Sequence, residues 1–121
     1  SLREQYRVGL LTDGPVRAQR GKLETLGWTD LFDAVVVTGA LPAGKPDGRT
    51  FARLLAELGS DPGETAYVGD HPEADIAGAA AVGLLPVQVL GSPEAEPHPA
   101  AAATVQRDRL AAELPSVLAD L

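Results

Sequence analysis

The sequence contains no cysteine, only two histidines (His71 and His98), and few aromatic residues. Without cysteine, disulfides and thiolate metal sites are excluded. Two histidines are also too few for a zinc site built on several imidazoles. Any bound metal would therefore rest on oxygen ligands, and such ligands favour a hard cation such as Mg²⁺.

Long apolar runs and an excess of positive charge are missing as well. No run is long enough to cross a bilayer, and no charged-then-apolar leader begins at Ser1, so we expect a cytoplasmic protein without a membrane partner. The formal net charge of −7 argues against nucleic-acid binding, which needs a basic surface. The length of 121 residues fits a single domain over 1–121, with a core of Leu, Val and Ala.

Short apolar runs alternate with helical stretches along the chain. Strands are predicted at Tyr6–Thr12, Asp33–Thr38, Thr65–Gly69, Leu85–Leu90 and, as a short one, Thr104-Val105. Helices are predicted at Pro15–Leu26, Arg49–Leu58, Ala74–Val82 and from Arg107 onward, the last with a break at Pro115. The stretch Gly91–Ala103 is predicted to be a surface loop. This alternation predicts an α/β fold, with a parallel sheet covered by helices on both faces.

Polar residues follow the predicted strands, where parallel sheets gather their ligands. Thr12 and Asp13 end the first strand, Asp70 and His71 follow the third, and Lys45 lies in the Gly/Pro-rich loop Gly39–Asp47. We therefore expect these side chains to converge on one crevice. His71 is interpreted as a rim residue and His98 as a loop residue without a role.

Asp70 and Asp75 form the strongest candidate pair. Asp70 ends a strand and Asp75 falls in the first turn of the next helix, so both carboxylates can face one point. Two hard oxygen ligands suit Mg²⁺, which keeps several waters and takes one or two carboxylates. In the alternative interpretation, Asp70 is a turn residue and Asp75 is a charge favoured by the helix dipole.

Lys45 and the segment Thr12-Asp13-Gly14 are candidates for binding an anion. Lys45 stands between Gly44 and Pro46 on a restricted backbone, as suits a cation that points at phosphate oxygens. Thr12-Asp13-Gly14 offers a hydroxyl and early helix N–H groups. The alternatives are a solvated surface lysine and an ordinary turn that caps a helix.

In this order, the motifs resemble those of the haloacid dehalogenase-like (HAD) superfamily. The match is carried by LLTDG (10–14), QRGKLETLGWTDLFDAVVVTG (19–39), GKPDGRTF (44–51) and VGDHPEADIAGAAAVGL (68–84), and the similarity spans about Tyr6 to Leu90. The resemblance implies a Rossmann-like three-layer α/β/α fold. It also implies a Mg²⁺-dependent phosphomonoesterase that acts on a small phosphorylated metabolite through an aspartyl-phosphate.

The resemblance also assigns roles to the candidate residues. Thr12 would bind the phosphoryl group, Lys45 would steady its negative charge, and Asp70 and Asp75 would bind Mg²⁺. Asp13 and Gly14 would contact substrate, although relatives often have Asn at the position of Asp13. His71 stands where relatives commonly have a small hydroxyl residue.

The family's first motif, a D-x-D segment, has no counterpart here. In the family its first Asp is the nucleophile, its second Asp is the general acid and base, and its strand is the centre of the sheet. Only Ser1–Gln5 precedes the first predicted strand, so this strand has no room, and the cap inserted after it is also absent. We therefore expect an incomplete sheet and an inactive chain.

Three explanations of the gap remain open, of which we favour the first. The chain is a piece of a longer enzyme, a second chain fills the gap, or the flanking strands pair directly. Self-association or a complementing N-terminal segment would then complete the fold. The alternative function is a non-catalytic HAD-like module that binds a phosphorylated ligand or a partner protein. A receiver domain is disfavoured because its acidic cluster would come first and its lysine last.

Overall fold

The computed structural model describes residues 6–27, 32–41, 44–45 and 47–121. The chain divides into two compact units, Ser1–Ser60 and Asp61–Leu121. The single domain expected over 1–121 stays a prediction. Of the predicted loop Gly39–Asp47, Pro42, Ala43 and Pro46 lie outside the described residues.

The first unit alternates strands and helices as predicted. Its elements are β1 (Gly9–Thr12), α1 (Val16–Leu26), β2 (Ala34–Val37) and α2 (Gly48–Leu58). The two strands pair in parallel, with Thr12 opposite Val37, and a 3₁₀ turn at Thr38–Ala40 follows β2. Gly27 and Gly59 end the two helices at the predicted positions.

Helix α2 packs tightly on the strands of the first unit. The predicted apolar face is buried: Phe51, Leu54, Leu55 and Leu58. A Cβ atom on Gly9 of β1 would lie 2.9 Å from Leu54 Cδ1 and 3.0 Å from Leu58 Cδ1. The bare strand position therefore lets the helix approach the sheet, a common reason for a glycine inside a strand.

The second unit contains three parallel strands in the order β3–β4–β5. Its elements are β3 (Ala66–Gly69), a π-helical segment (Pro72–Ala77) that continues into α3 (Gly78–Ala81), β4 (Leu85–Leu90), β5 (Ala103–Gln106) and α4 (Leu110–Ala119). A 3₁₀ turn, Arg107–Arg109, joins β5 to α4. The predicted helix at Ala74–Val82 thus begins two residues earlier, and its first part is wound more widely than an α-helix.

Helices cover both faces of the second sheet. On one face, Val87, Val89 and Val105 form a core, against which α4 packs with Leu110, Leu114, Val117 and Leu118. On the other face, Tyr67 of β3 reaches the π-helical segment by donating its hydroxyl to Asp75 Oδ1 at 3.4 Å. This three-layer arrangement is the one predicted from the sequence.

The predicted break at Pro115 is wrong. Helix α4 continues through Pro115 as far as Ala119. Proline removes one backbone hydrogen bond from a helix. Apolar residues on both sides of Pro115 pack against the sheet, and this packing holds the helix together across the proline.

The predicted α/β fold with an incomplete parallel sheet is confirmed. Within the described ranges, β1 pairs only with β2, and β3 pairs only with β4, so each has one unpartnered edge. None of the helices in the described part of the chain is long and apolar enough to span a membrane.

Candidate functional site

The loops after β1 and β2 are bonded to each other. Because the strands are parallel, Asp13-Gly14 and Thr38-Gly39 leave the sheet at the same edge. The Gly14 N–H donates to the Thr38 hydroxyl at 3.2 Å, and the Gly39 N–H donates to the Gly14 carbonyl at 2.9 Å. These reciprocal bonds fix the segment that follows Thr12.

Gly39 is packed against backbone. A Cβ atom there would collide with the Gly14 carbonyl oxygen, and it would lie 2.9 Å from both Pro15 Cα and Val16 N. Backbone atoms at the start of a helix cannot yield as the tip of a flexible side chain can. The position therefore requires glycine.

Asp13 links the loop that carries Lys45 to the end of β1. Its Oδ1 accepts the Lys45 N–H at 3.1 Å, and a Cβ atom on Gly44 would lie 3.0 Å from the same oxygen. The structure thus brings Asp13, Gly14 and Lys45 together beyond the strand end at Thr12. We call Asp13, Gly14, Thr38, Gly39 and Lys45 the loop cluster.

The start of α2 is fixed two residues after Lys45. Asp47 caps the helix by accepting the Arg49 N–H on Oδ1 at 2.9 Å, and the Arg49 guanidinium binds Oδ1 and Oδ2 of the same carboxylate at 3.0 and 2.8 Å. These bonds, the side-chain bond first, lower the pKa of Asp47 from 3.8 to about 2. The backbone of Lys45 is therefore held by its own bond to Asp13, and the chain is fixed again at the α2 cap two residues later.

In the second unit, Asp75 is folded back over the end of β3. Its side chain is buried, and its Oδ2 accepts the His71 N–H at 3.1 Å. A Cβ atom on Gly69 would lie 2.6 Å from Asp75 Cβ and Cγ, so the carboxylate sits directly over the Gly69 Cα. We call the segment Gly69–Asp75 the acidic turn.

His71 has a local structural role in the acidic turn. Its ring Nδ1 accepts the Ala74 N–H at 3.0 Å, so His71 caps the π-helical segment. In the neutral ring this bond places the proton on Nε2. That His71 lies at the rim of the site stays a prediction. Its capping of the π-helical segment is an additional, structural role.

Asp70 is exposed and paired with an arginine that the sequence did not single out. Arg107 Nη2 donates to Asp70 Oδ2 at 2.8 Å, and the two side chains are 60% and 59% exposed. The sequence signal that could have identified Arg107 is its position, since it directly follows the last residue of β5. Applying the strand-end rule to the short fifth strand would have found it.

The predicted loop after β4 is a loop, but it is anchored. Gln88, buried in β4, accepts the His98 N–H on Oε1 at 2.6 Å and donates to the Glu96 carbonyl at 3.5 Å. His98 Nδ1 accepts the Ala100 N–H, and its Nε2 lies 3.7 Å from Glu73 Oε1. His98, which was interpreted from the sequence as a residue without a role, thus helps to hold this loop in place.

The carboxylates of the acidic turn have the chemistry of a magnesium site. Among the residues that the structure describes, no group of three or more His, Cys, Asp and Glu side chains could hold a metal ion. Asp70 and Asp75 each offer carboxylate oxygens, and each carboxylate already accepts a hydrogen bond, from Arg107 and from His71 respectively. Such a pair fits Mg²⁺, which retains several of its waters.

Comparison with known proteins identifies the family. The family model of the haloacid dehalogenase-like hydrolases matches residues 1–83. The chain belongs to this family. The predicted resemblance is thereby confirmed, and the LLTDG and VGDHPEAD segments fall within the matched residues.

This HAD-like chain is similar to phosphatases over most of its length. It is 40% identical over 113 residues to ribulose-1,5-bisphosphate 5-phosphatase of Halopiger xanaduensis, covering 93% of this chain and 45% of that one. It is 39% identical over 87 residues to phosphoserine phosphatase of Thermus thermophilus, covering 72% and 35%. A crystal structure of a HAD phosphatase from Thermococcus onnurineus superposes with a TM-score of 0.85 and 32% identity, covering 97% and 53%. The chain thus spans about a third to a half of the length of these proteins.

The HAD-like chain therefore presents its candidate residues in two groups. Thr12, Asp13, Gly14 and Lys45 belong to the first unit, and Asp70 and Asp75 belong to the second. In the first unit, the Lys45 N–H is bonded to Asp13 Oδ1. In the second unit, Asp75 is bonded to the His71 N–H and Asp70 to Arg107. The convergence of the two groups on one crevice stays a prediction.

Proposed function

We propose that the intact protein is a Mg²⁺-dependent phosphomonoesterase that acts on a small phosphorylated metabolite. The observation that carries the proposal is the bond between Asp13 Oδ1 and the Lys45 N–H in a chain whose relatives are phosphatases. This bond fixes the backbone of a lysine beside the strand end that carries Thr12. A hydroxyl and an ammonium group held at one edge are suited to bind phosphoryl oxygens.

The geometry refines the roles within the loop cluster. We assign phosphoryl contact to the Thr12 hydroxyl and the Lys45 ammonium group. The Asp13 carboxylate would repel a phosphate, so we assign it the positioning of Lys45. Because the Gly14 N–H is donated to the Thr38 hydroxyl, we assign Gly14 the shaping of the loop beside the substrate.

Asp70 and Asp75 would hold the metal. Asp70 offers an exposed carboxylate at the strand end, and Asp75 offers a buried one whose Oδ2 accepts the His71 N–H. When bound, Mg²⁺ would offset negative charge on the phosphoryl group. His71 orients the Asp75 carboxylate and Arg107 orients that of Asp70, and we expect Asp70→Ala to lose Mg²⁺ binding. Unchanged Mg²⁺ affinity in this variant would contradict the assignment.

The nucleophile would come from outside this chain. No two aspartates in the sequence are separated by a single residue, so no D-x-D segment is present. We propose that such a segment pairs with the unpartnered strand edges and forms the aspartyl-phosphate, which water then hydrolyses. A complementing N-terminal segment or a second chain would supply it.

Hydrolysis of p-nitrophenyl phosphate tests the proposal. The 121-residue chain should give no turnover with or without Mg²⁺, and the protein extended upstream through a D-x-D segment should give Mg²⁺-dependent turnover. In the extended protein, Lys45→Ala and Asp70→Ala should each reduce turnover by a factor of about 10² or more. Clear turnover by the 121-residue chain, or Mg²⁺-independent turnover by the extended one, would contradict the proposal.

The missing D-x-D segment also favours a second candidate function. Without a nucleophile, the same site could serve a non-catalytic module that binds a phosphorylated ligand or a partner protein. The upstream reading frame separates the two candidates. An in-frame D-x-D segment supports the enzyme, and its absence together with retained phosphate binding supports the module.

A further inference from the structure

Arg107 lies at the strand ends of the second unit and has no role in the proposed reaction. It directly follows β5, whose last residue, Gln106, lies opposite Leu90 of β4. Because β3, β4 and β5 are parallel, Arg107 emerges at the same edge as Asp70, 37 residues away in the sequence. Its Nη2 donates to Asp70 Oδ2 at 2.8 Å, the distance of a charge-assisted hydrogen bond.

The guanidinium group has space beside it. Arg107 lines an open cavity of about 510 Å³ together with Gly91, Ser92 and Arg109. A Cβ atom on Gly91 would lie 3.8 Å from the Arg107 guanidinium, so the backbone there leaves the group unobstructed. Both side chains of the ion pair are more than half exposed, and either can change rotamer into solvent.

We infer that Arg107 is the counter-ion of Asp70 in the metal-free protein and that it competes with Mg²⁺ for this carboxylate. The inference rests on the proposed magnesium site. A guanidinium on Oδ2 occupies one of the two oxygens that a cation could use. A positive charge bonded to the same carboxylate would also oppose the binding of a divalent cation, even in high dielectric. Asp70 is then neutralised in both states, by arginine before the metal binds and by the metal afterwards.

The test compares Mg²⁺ affinity in two arginine variants of the 121-residue chain. Mg²⁺ is titrated while the backbone amide shifts of Asp70 and His71 are followed by NMR. Arg107→Gln should lower the Kd for Mg²⁺ by roughly three- to five-fold, the size expected for an exposed charge pair. Arg109→Gln is the matched control because it removes the same charge beside the same cavity from a residue paired with Glu113. It should change the Kd less than two-fold.

The outcomes separate this inference from the proposed function. Equal Kd values for the two variants and the wild type, or weaker binding by Arg107→Gln, would overturn the competition while leaving the metal site intact. Asp70→Asn should remove the Mg²⁺-dependent shifts in every background. If those shifts persist in Asp70→Asn, or if Mg²⁺ causes none in wild type and Arg107→Gln, the metal site itself fails.

Discussion

The loop cluster and the acidic turn are held in different ways. In the loop cluster, the bonds join residues that lie 24 to 32 positions apart, such as Gly14 with Thr38 and Lys45 with Asp13. In the acidic turn, Asp75 and His71 bond to residues no more than eight positions away. Its long-range side-chain contacts are the Arg107–Asp70 pair and the contact of Glu73 with His98.

This difference indicates that the loop cluster depends on the surrounding fold more than the acidic turn does. The loop cluster exists only when β1, β2 and the start of α2 are packed together. The acidic turn is held mainly by bonds among its own residues and by Tyr67 near the end of β3. Substitutions in the loop cluster should therefore spread through the first unit, and those in the acidic turn should stay local.

Gly39→Ala should have the largest effect because the new Cβ atom would collide with backbone of the loop cluster. We expect a loss of about 3 kcal/mol in the free energy of unfolding, at the upper end for overpacking. The measurement is urea denaturation followed by circular dichroism. Gly21→Ala in α1 is the control, since a Cβ atom there meets nothing within 4 Å. It should stabilise the protein by up to about 1 kcal/mol, and equal effects of the two variants would refute the backbone clash.

Gly69→Ala should have the next largest effect, through a side chain rather than backbone. The new Cβ atom would lie 2.6 Å from Asp75 Cβ and Cγ, and side-chain rotation cannot move Asp75 Cβ, so the turn must shift and we expect a loss of about 2 kcal/mol. Within the second unit, NMR shift changes should be concentrated in the acidic turn and β3. Gly63→Ala, where a Cβ atom meets nothing within 4 Å, is the control. Shift changes of similar size throughout β5 and α4 would show that the acidic turn is not locally held.

Thr38→Val should cost less than either glycine substitution. It keeps the side-chain shape but removes the hydroxyl that accepts the Gly14 N–H, for a loss of about 1–2 kcal/mol. Hydrogen exchange at the Gly14 amide should accelerate. Thr38→Ser, which keeps the hydroxyl, should restore most of the protection. Unchanged exchange in Thr38→Val would mean that this bond does not hold the loop cluster.

Acid should weaken the α2 cap with the smallest effect. The pKa of Asp47 is lowered in the folded chain from 3.8 to about 2, so its carboxylate contributes stability above pH 3.8 that is lost as the pH falls through about 2. Asp47→Asn retains a capping side chain without the titration. Thermal denaturation of the two proteins should therefore differ less at pH 2 than at pH 5. A constant difference across this window would contradict the assigned cause.

The sequence predicted those parts of the structure whose signals are local. The spacing of Asp70 and Asp75, the apolar face of α2 and the glycine ends of α1 and α2 all depend on neighbouring residues. Thr38 and Arg107 were missed because their partners are distant in sequence. Nothing marks Arg107 among eight arginines until β5 is placed beside β4.

The predicted break at Pro115 failed for a related reason. A proline predicts the loss of one hydrogen bond, and this loss is local. The packing of α4 on Val87, Val89 and Val105 depends on tertiary structure, and it outweighs the loss. Local sequence patterns therefore predicted the position of the acidic turn, but they could not predict the bond between the Lys45 N–H and Asp13.

We propose that Lys45 and the carboxylates of the acidic turn serve one phosphate site, and Lys45 acylation tests this proposal most directly. Lys22, exposed in α1, is the only other lysine and provides an internal reference. Mass spectrometry would measure both labelling rates with inorganic phosphate, with and without Mg²⁺. Phosphate should protect Lys45 relative to Lys22, more strongly with Mg²⁺, and Asp70→Ala should remove the Mg²⁺-dependent part. Protection of Lys45 that is absent, or that is unaffected by both Mg²⁺ and Asp70→Ala, would contradict a shared site.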